Sequence, residues 1–129
     1  MQVNYKTEIS GTVETAVIKI TDALLKEGFG VITRIDLHTK IKEKLNKTIP
    51  PTVILGACNP SLAYEAFSIN PDVASLLPCN AVVREIVPGL ISVELAIPSA
   101  LMKILEDKKL IQLAGDADRI LEKIIKDLH

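Results

Sequence analysis

Both cysteines in the chain are followed directly by asparagine, as Cys58-Asn59 and as Cys79-Asn80. Each pair stands beside a proline at the edge of an apolar run. A thiol can act as a nucleophile, a redox group or a metal ligand, and a neighbouring amide adds a hydrogen-bond donor and an acceptor without a fixed charge. The two Cys-Asn segments are therefore the residues in this sequence best suited to form a site.

Cys58 is predicted to lie at the end of a strand, immediately before a helix that Asn59-Pro60 begins. The positive end of a helix dipole lowers the pKa of a nearby thiol from its usual value of about 8.5, and this favours a reactive thiolate. The unpaired backbone N–H groups would equally suit a small anion or a carboxylate. The structural alternatives are that Cys58 packs as a small apolar residue and that Asn59 caps the helix.

Cys79 follows Pro78 at the start of a strand, where no helix start is available to it. By itself it is predicted to be a packing residue, and the structural alternative for Asn80 is that it satisfies turn backbone. The two cysteines meet only if the helix after Pro60 and the segment from Pro71 to Pro78 fold back on each other. In that case they lie together at one end of the sheet, with Thr33 and Asp36 as candidates for the rim.

A metal site is the weaker interpretation. His38 forms an Asp-x-His pattern with Asp36 and could join the cysteines around zinc or copper. The separation of Cys58 and Cys79 does not match the Cys-x-x-Cys spacing of common zinc ligands. We therefore expect no metal and no cofactor, and a nucleophile built from Cys and His is expected only if His38 reaches a thiol.

The elements that must position these residues alternate between strand and helix. The periodicity of apolar residues predicts strands over residues 3–10, 29–36, 52–57, 80–87 and 90–97, with a hairpin at Pro88-Gly89. In the second strand Phe29, Val31, Thr33 and Ile35 are expected on one face. Helices are predicted after Thr12, after Asp36, after Asn59, from Pro98 to Leu105 and from Leu110 to Leu128.

Length and composition restrict the class of protein. A chain of 129 residues is predicted to form a single domain over residues 1–129. The net charge of -1 and an aromatic content of 3% argue against nucleic acid as a partner, because phosphate binding needs a basic excess. The N-terminal residues lack a signal-peptide pattern, and the most apolar stretch is too short and too often interrupted to span a membrane. We therefore expect a cytoplasmic protein.

About five strands and five helical segments, with no linker, predict an α+β domain. A mainly antiparallel sheet should pack against the helices in a two-layer sandwich that includes a long C-terminal helix. The apolar stripe of that helix is so wide that part of it is expected to contact a second subunit. The sequence thus favours a homodimer.

Three segments of the chain resemble segments of a known family. They are residues 27–33 with Ile35 and Asp36, residues 54–60, and residues 76–80 with residues 82–85. With these segments and its length, the chain resembles domain-of-unknown-function family 302 over essentially all of its residues. The resemblance implies a compact α/β homodimer and supplies no reaction. Members often carry an acidic residue before the proline that corresponds to Pro98, whereas this chain has Ile97, so a role for that carboxylate is not implied here.

Three hypotheses of function follow from the residues. The leading one is a homodimer that binds a small polar or anionic ligand at a pocket built from Cys58, Asn59, Cys79 and Asn80. The alternative is a thiol enzyme or redox switch in which Cys58 attacks and Cys79 resolves through a disulfide. The third is a structural or interaction module whose cysteines only pack. Whether the protein is an enzyme is left open by the sequence.

Overall fold

The computed structural model describes residues 2–129, and over that range the chain alternates between strands and helices. It forms β1 (Asn4–Ser10), α1 (Val13–Lys26), β2 (Gly30–Asp36), α2 (Leu37–Leu45), β3 (Thr52–Cys58), α3 (Pro60–Ile69), β4 (Cys79–Val87), β5 (Leu90–Ala96), α4 (Pro98–Met102) and α5 (Lys108–Asp127). Two short 3₁₀ turns, Pro71–Leu76 and Lys103–Leu105, follow α3 and α4. The α+β class and the long C-terminal helix predicted from the sequence are confirmed.

Local chemistry explains where the helices begin. Thr12 and Thr15 exchange side-chain and backbone hydrogen bonds in a capping box at the start of α1. Asp107 accepts a hydrogen bond from the backbone N–H of Leu110, at 3.2 Å, and so caps α5. The two-residue turn at Pro88-Gly89 joins β4 to β5, with Gly89 in the positive-φ region that glycine adopts at low cost.

The five strands of the described chain form one open sheet in the order β1-β5-β4-β3-β2, and every neighbouring pair is antiparallel. Helices α1 and α5 pack on one face, where their apolar residues meet those of the central strands. Ile20 and Leu24 from α1 belong to the same core cluster as Leu55 and Val83 from the sheet, and all four side chains are buried. The result is a two-layer sandwich, as predicted.

The opposite face of the sheet holds both polar and apolar rows. Pairing places Ile35, Ile54 and Val82 side by side in one row that continues to Glu94 on β5. We call this face, opposite α1 and α5, the open face. Ile35 is 47% exposed there. No helix within residues 2–129 is both long and apolar enough to cross a membrane.

The expectation that one face of β2 carries all four of its alternating residues was wrong. Phe29, Val31, Thr33 and Ile35 do not share one face, because the pairing of β2 with β3 shifts at Ile32. Phe29 and Val31 pack with the core, whereas Thr33 and Ile35 lie on the open face. A β-bulge of this kind changes which side each later residue points to.

The wide apolar stripe of α5 packs largely against other parts of the same chain. Its C-terminal half joins the main core through residues such as Leu121 and Ile125. Its N-terminal half joins a second cluster, in which Leu110 and Ala114 meet Ala66, Val73 and Met102. Much of the stripe is therefore occupied within one chain.

Candidate functional site

The two Cys-Asn segments meet because β3 and β4 are antiparallel neighbours. Ala57 pairs directly with Cys79, so Cys58 lies one residue beyond the partner of Cys79. The chain from Pro60 to Pro78 leaves the sheet as α3 and a 3₁₀ turn and returns to the same end. The fold-back that the sequence analysis required is thus present.

Both thiols line one cavity of about 60 Å³ between this end of the sheet and the helices above it. Strict alternation would point Cys58 and Cys79 to opposite faces, but Cys58 is the last residue of β3, where the chain turns into α3. Apolar side chains supply most of the wall. The lining residues are Phe29, Ala57, Cys58, Asn59, Leu62, Ala63, Ala66, Leu77, Cys79, Pro98, Met102, Leu110, Leu113, Ala114 and Ala117.

Hydrogen bonds hold the helices that roof the cavity. Asn59 accepts a hydrogen bond from the backbone N–H of Leu62, at 3.1 Å, and so caps α3. Asp118 on α5 accepts one from the backbone N–H of Ser99, at 3.0 Å, and this ties α4 to α5. Because Leu62 lines the cavity, as do Pro98 and Met102 of α4, these caps also position the lining.

Cys79 is a poor nucleophile at neutral pH. Burial raises the pKa of its thiol to about 11, and Cys58 and Asp118 add to the effect, because a negative charge on either neighbour would repel a thiolate at Cys79. Cys58 and Cys79 are both half-buried free cysteines. At neutral pH the cavity therefore contains Cys79 as an uncharged thiol.

Three of the predicted site residues lie elsewhere. Thr33 and Asn80 flank Gly56 on the open face, on the other side of the sheet from α1 and α5. Asp36 pairs with Val53 and forms an ion pair with Arg34, at 3.1 Å, so it lies towards the far end of β3. The structure brings together Cys58, Asn59 and Cys79, and leaves Asn80, Thr33 and Asp36 outside the cavity.

His38 does not approach the thiols. Its Nδ1 lies 2.9 Å from the backbone N of Thr52 and accepts a hydrogen bond from it. Thr52 begins β3, whereas Cys58 ends it, so the length of the strand separates the imidazole from the thiols. The described residues contain no group of three or more His, Cys, Asp and Glu side chains placed to hold a metal ion.

The sequence analysis missed the part of the site that α4 and α5 contribute. Met102, Leu110, Leu113 and Ala114 all line the cavity, and the sequence shows only that they are apolar. One signal was available, because α5 has 20 residues and α1 beside it has only 14. The apolar residues at the N-terminal end of α5 extend beyond α1 and therefore had to pack on another part of the chain.

A comparison with known protein families shows which family the chain belongs to. Residues 5–128 match the family described as "Domain of unknown function DUF302". The chain belongs to the DUF302 family. The match covers the cavity-lining residues and all five strands except Asn4, the first residue of β1, so the cavity lies within the family region of this DUF302 domain.

One solved crystal structure is that of a similar DUF302 protein. The crystal structure of an uncharacterized conserved DUF302 protein from Bacillus stearothermophilus matches this DUF302 domain with a TM-score of 0.92 and 26% identity, over 100% of both chains. No curated protein matches the chain. Ile97, the residue before Pro98, is buried.

Proposed function

We propose that this DUF302 domain is a binding module for a small ligand, which it takes up in the cavity lined by Cys58 and Cys79. The cavity of about 60 Å³ carries the proposal. Well-packed protein interiors leave few voids larger than a water molecule, and a water needs only about 10–15 Å³ by this measure. A larger space beside two thiols and an amide is therefore a reasonable place for a ligand.

The lining favours a small uncharged ligand over an anion. None of the described residues that line the cavity carries a fixed charge, and Asn59 already uses its side-chain oxygen to cap α3. Pockets for drug-sized ligands and cofactors are usually about 300–1,000 Å³. A ligand of a few heavy atoms fits this cavity, whereas a nucleotide does not.

A dithiol redox cycle receives less support. Resolution of a disulfide or adduct needs an attacking thiolate, since the thiol form is a weak nucleophile. Burial holds the pKa of Cys79 at about 11, so very little thiolate is present at neutral pH. Binding of a neutral ligand needs no ionisation of either thiol and agrees better with this environment.

Methyl NMR of the intact protein tests the proposal. Three probes of a size suited to the cavity are used. Xenon is an apolar atom, propan-2-ol carries a hydroxyl, and acetamide carries an amide. At least one should give saturable shifts of the methyl groups of Leu62, Met102 and Leu113. Filling the cavity with Ala114→Leu should abolish those shifts, and Gln112→Leu on the exposed side of the same helix should not.

Two outcomes would overturn the binding proposal. One is that no probe shifts these methyl groups at any concentration. The other is that the shifts persist unchanged in Ala114→Leu. Circular dichroism of both variants confirms that the comparison is made between folded proteins.

We further propose that two copies associate through the open face. The row Ile35, Ile54 and Val82 places apolar side chains on a sheet surface that α1 and α5 do not cover, and Ile35 is 47% exposed. Light scattering during gel filtration should give the mass of a dimer. Ile35→Lys should reduce it to that of a monomer, whereas Ile18→Lys, at an exposed position of α1, should not. A monomeric wild-type protein would contradict this proposal.

A further inference from the structure

Three sulfur atoms belong to residues that line the same small cavity. Two are the free thiols of Cys58 and Cys79, and the third is the thioether of Met102. Met102 is only 4% exposed, so its side chain packs into the protein. The chain has two cysteines and two methionines, and three of these four sulfur residues line this cavity.

The backbone places the two cysteines close together at one end of the sheet. Ala57 and Cys79 are directly paired, and neighbouring strands lie about 4.8 Å apart. Cys58 is the next residue after Ala57, and its side chain lines the same cavity as that of Cys79. Met102 lies on α4, which Asp118 fixes to α5 through the backbone N–H of Ser99.

Sulfur donors select soft metal ions, because thiolates and thioethers are polarizable ligands. We propose that the cavity binds Cu(I) through the sulfur atoms of Cys58 and Cys79, with the thioether of Met102 as a third donor. This inference rests on the proposed function because it uses the same cavity, and it differs from the neutral ligands above in that both thiols lose their protons when the ion binds. A single ion needs far less room than an organic cofactor, and the cavity is about 60 Å³.

The donor set distinguishes Cu(I) from zinc. A structural zinc site is almost always tetrahedral with four nitrogen, oxygen or thiolate ligands. Among residues 2–129 no third His, Cys, Asp or Glu completes such a group, and His38 is held at Thr52. Cu(I) accepts two or three sulfur ligands, and these are what the cavity offers.

The charges and protons balance without a redox partner. Each thiol that coordinates loses its proton to solvent, so two thiols release two protons when Cu(I) enters. Two thiolates and one Cu(I) carry a net charge of -1, and the thioether adds none. Copper stays in the +1 state throughout, so the step needs no oxidant or reductant.

An anaerobic titration with Cu(I) tests the inference. Cu(I) is supplied as its acetonitrile complex, and bicinchoninate serves as a coloured competitor. We expect one ion per chain, with sulfur-only coordination in the X-ray absorption spectrum. Cys58→Ser and Cys79→Ser should each weaken binding by 100-fold or more, and Met102→Leu by about threefold to tenfold.

Ala114→Leu and Gln112→Leu provide the matched pair for the cavity itself. The first should abolish Cu(I) binding, and the second should leave it unchanged. The inference is overturned if bicinchoninate retains all the copper, if binding survives both serine variants, or if nitrogen or oxygen ligands dominate the spectrum. Should the neutral probes still shift the methyl groups in that case, the proposed function stands and only the choice of Cu(I) fails.

Discussion

Gly56 lies in β3 close to the end of the sheet where the cavity is, and its replacement by alanine should lower the free energy of unfolding. It is a buried residue of β3, paired with Thr33 on one side and Asn80 on the other. A Cβ atom at this position would overlap the Thr33 hydroxyl and would lie 2.7 Å from Pro78 Cγ. Thr33 is exposed and can rotate away, whereas the Pro78 ring is held between Leu77 and Cys79.

The expected loss follows from these two contacts. Overpacking of a filled site costs about 1–3 kcal/mol, and an alanine in place of glycine returns about 0.4–1 kcal/mol through the unfolded chain. The net change in the free energy of unfolding should be a loss of about 1–2 kcal/mol. Urea unfolding followed by circular dichroism measures it, with Gly30→Ala as the control.

Gly30 is a fair control because a Cβ there meets nothing within 4 Å and its φ is not positive. Gly30→Ala should be neutral or slightly stabilising. Adding Thr33→Ala to Gly56→Ala should recover only a small part of the loss, since Pro78 causes most of it. The reasoning is refuted if Gly56→Ala is as stable as the wild type, or if Gly30→Ala loses as much.

Three further predictions concern groups near the site and on the open face. The raised pKa of Cys79 makes stability depend on pH. The free energy of unfolding keeps its full value below the pKa of the thiol in the unfolded chain, about 8.5, and should fall by on the order of 3 kcal/mol as pH rises to about 11. In Cys79→Ala, urea unfolding across the same range should show a smaller loss. Asn59→Ala removes the cap of α3 and should cost about 1 kcal/mol, whereas Asn59→Asp keeps an accepting oxygen and should cost less; equal losses on thermal unfolding would contradict the cap. Glu94→Gln breaks an ion pair with Arg84 at 2.6 Å and should cost about 2 kcal/mol, less than the 3–5 kcal/mol of a fully buried pair because Arg84 is 43% exposed. Glu122→Gln, in a surface pair with Lys126, should cost much less than Glu94→Gln in the same urea assay, and similar losses for both would argue against burial as the cause.

The alternation of strands and helices was predictable because it is encoded locally. Caps such as Thr12 and Asn59, the turn at Pro88-Gly89 and the periodicity of apolar residues each act over a few neighbouring residues. The class of the fold followed from their order. The same local signals placed Cys58 at the end of a strand and at the start of a helix, and the structure agrees.

The composition of the cavity was not predictable because it depends on contacts between distant segments. Thr33 was predicted to line the rim and to share a face with Val31, but the register shift at Ile32 puts it on the open face instead. Met102 and Leu113 reach the cavity only through the packing of α4 and α5. A register shift leaves no spacing signal in the sequence, and the long apolar stripe of α5 indicates that this helix packs on something without showing on what.

The central claim is that the cavity beside both thiols is open to a small ligand, and a crystal pressurised with xenon tests it most directly. The account predicts one ordered xenon atom between Cys58, Cys79 and Leu113, with little movement of the surrounding side chains. A crystal in which those side chains close the space, with no xenon bound there, would contradict the account.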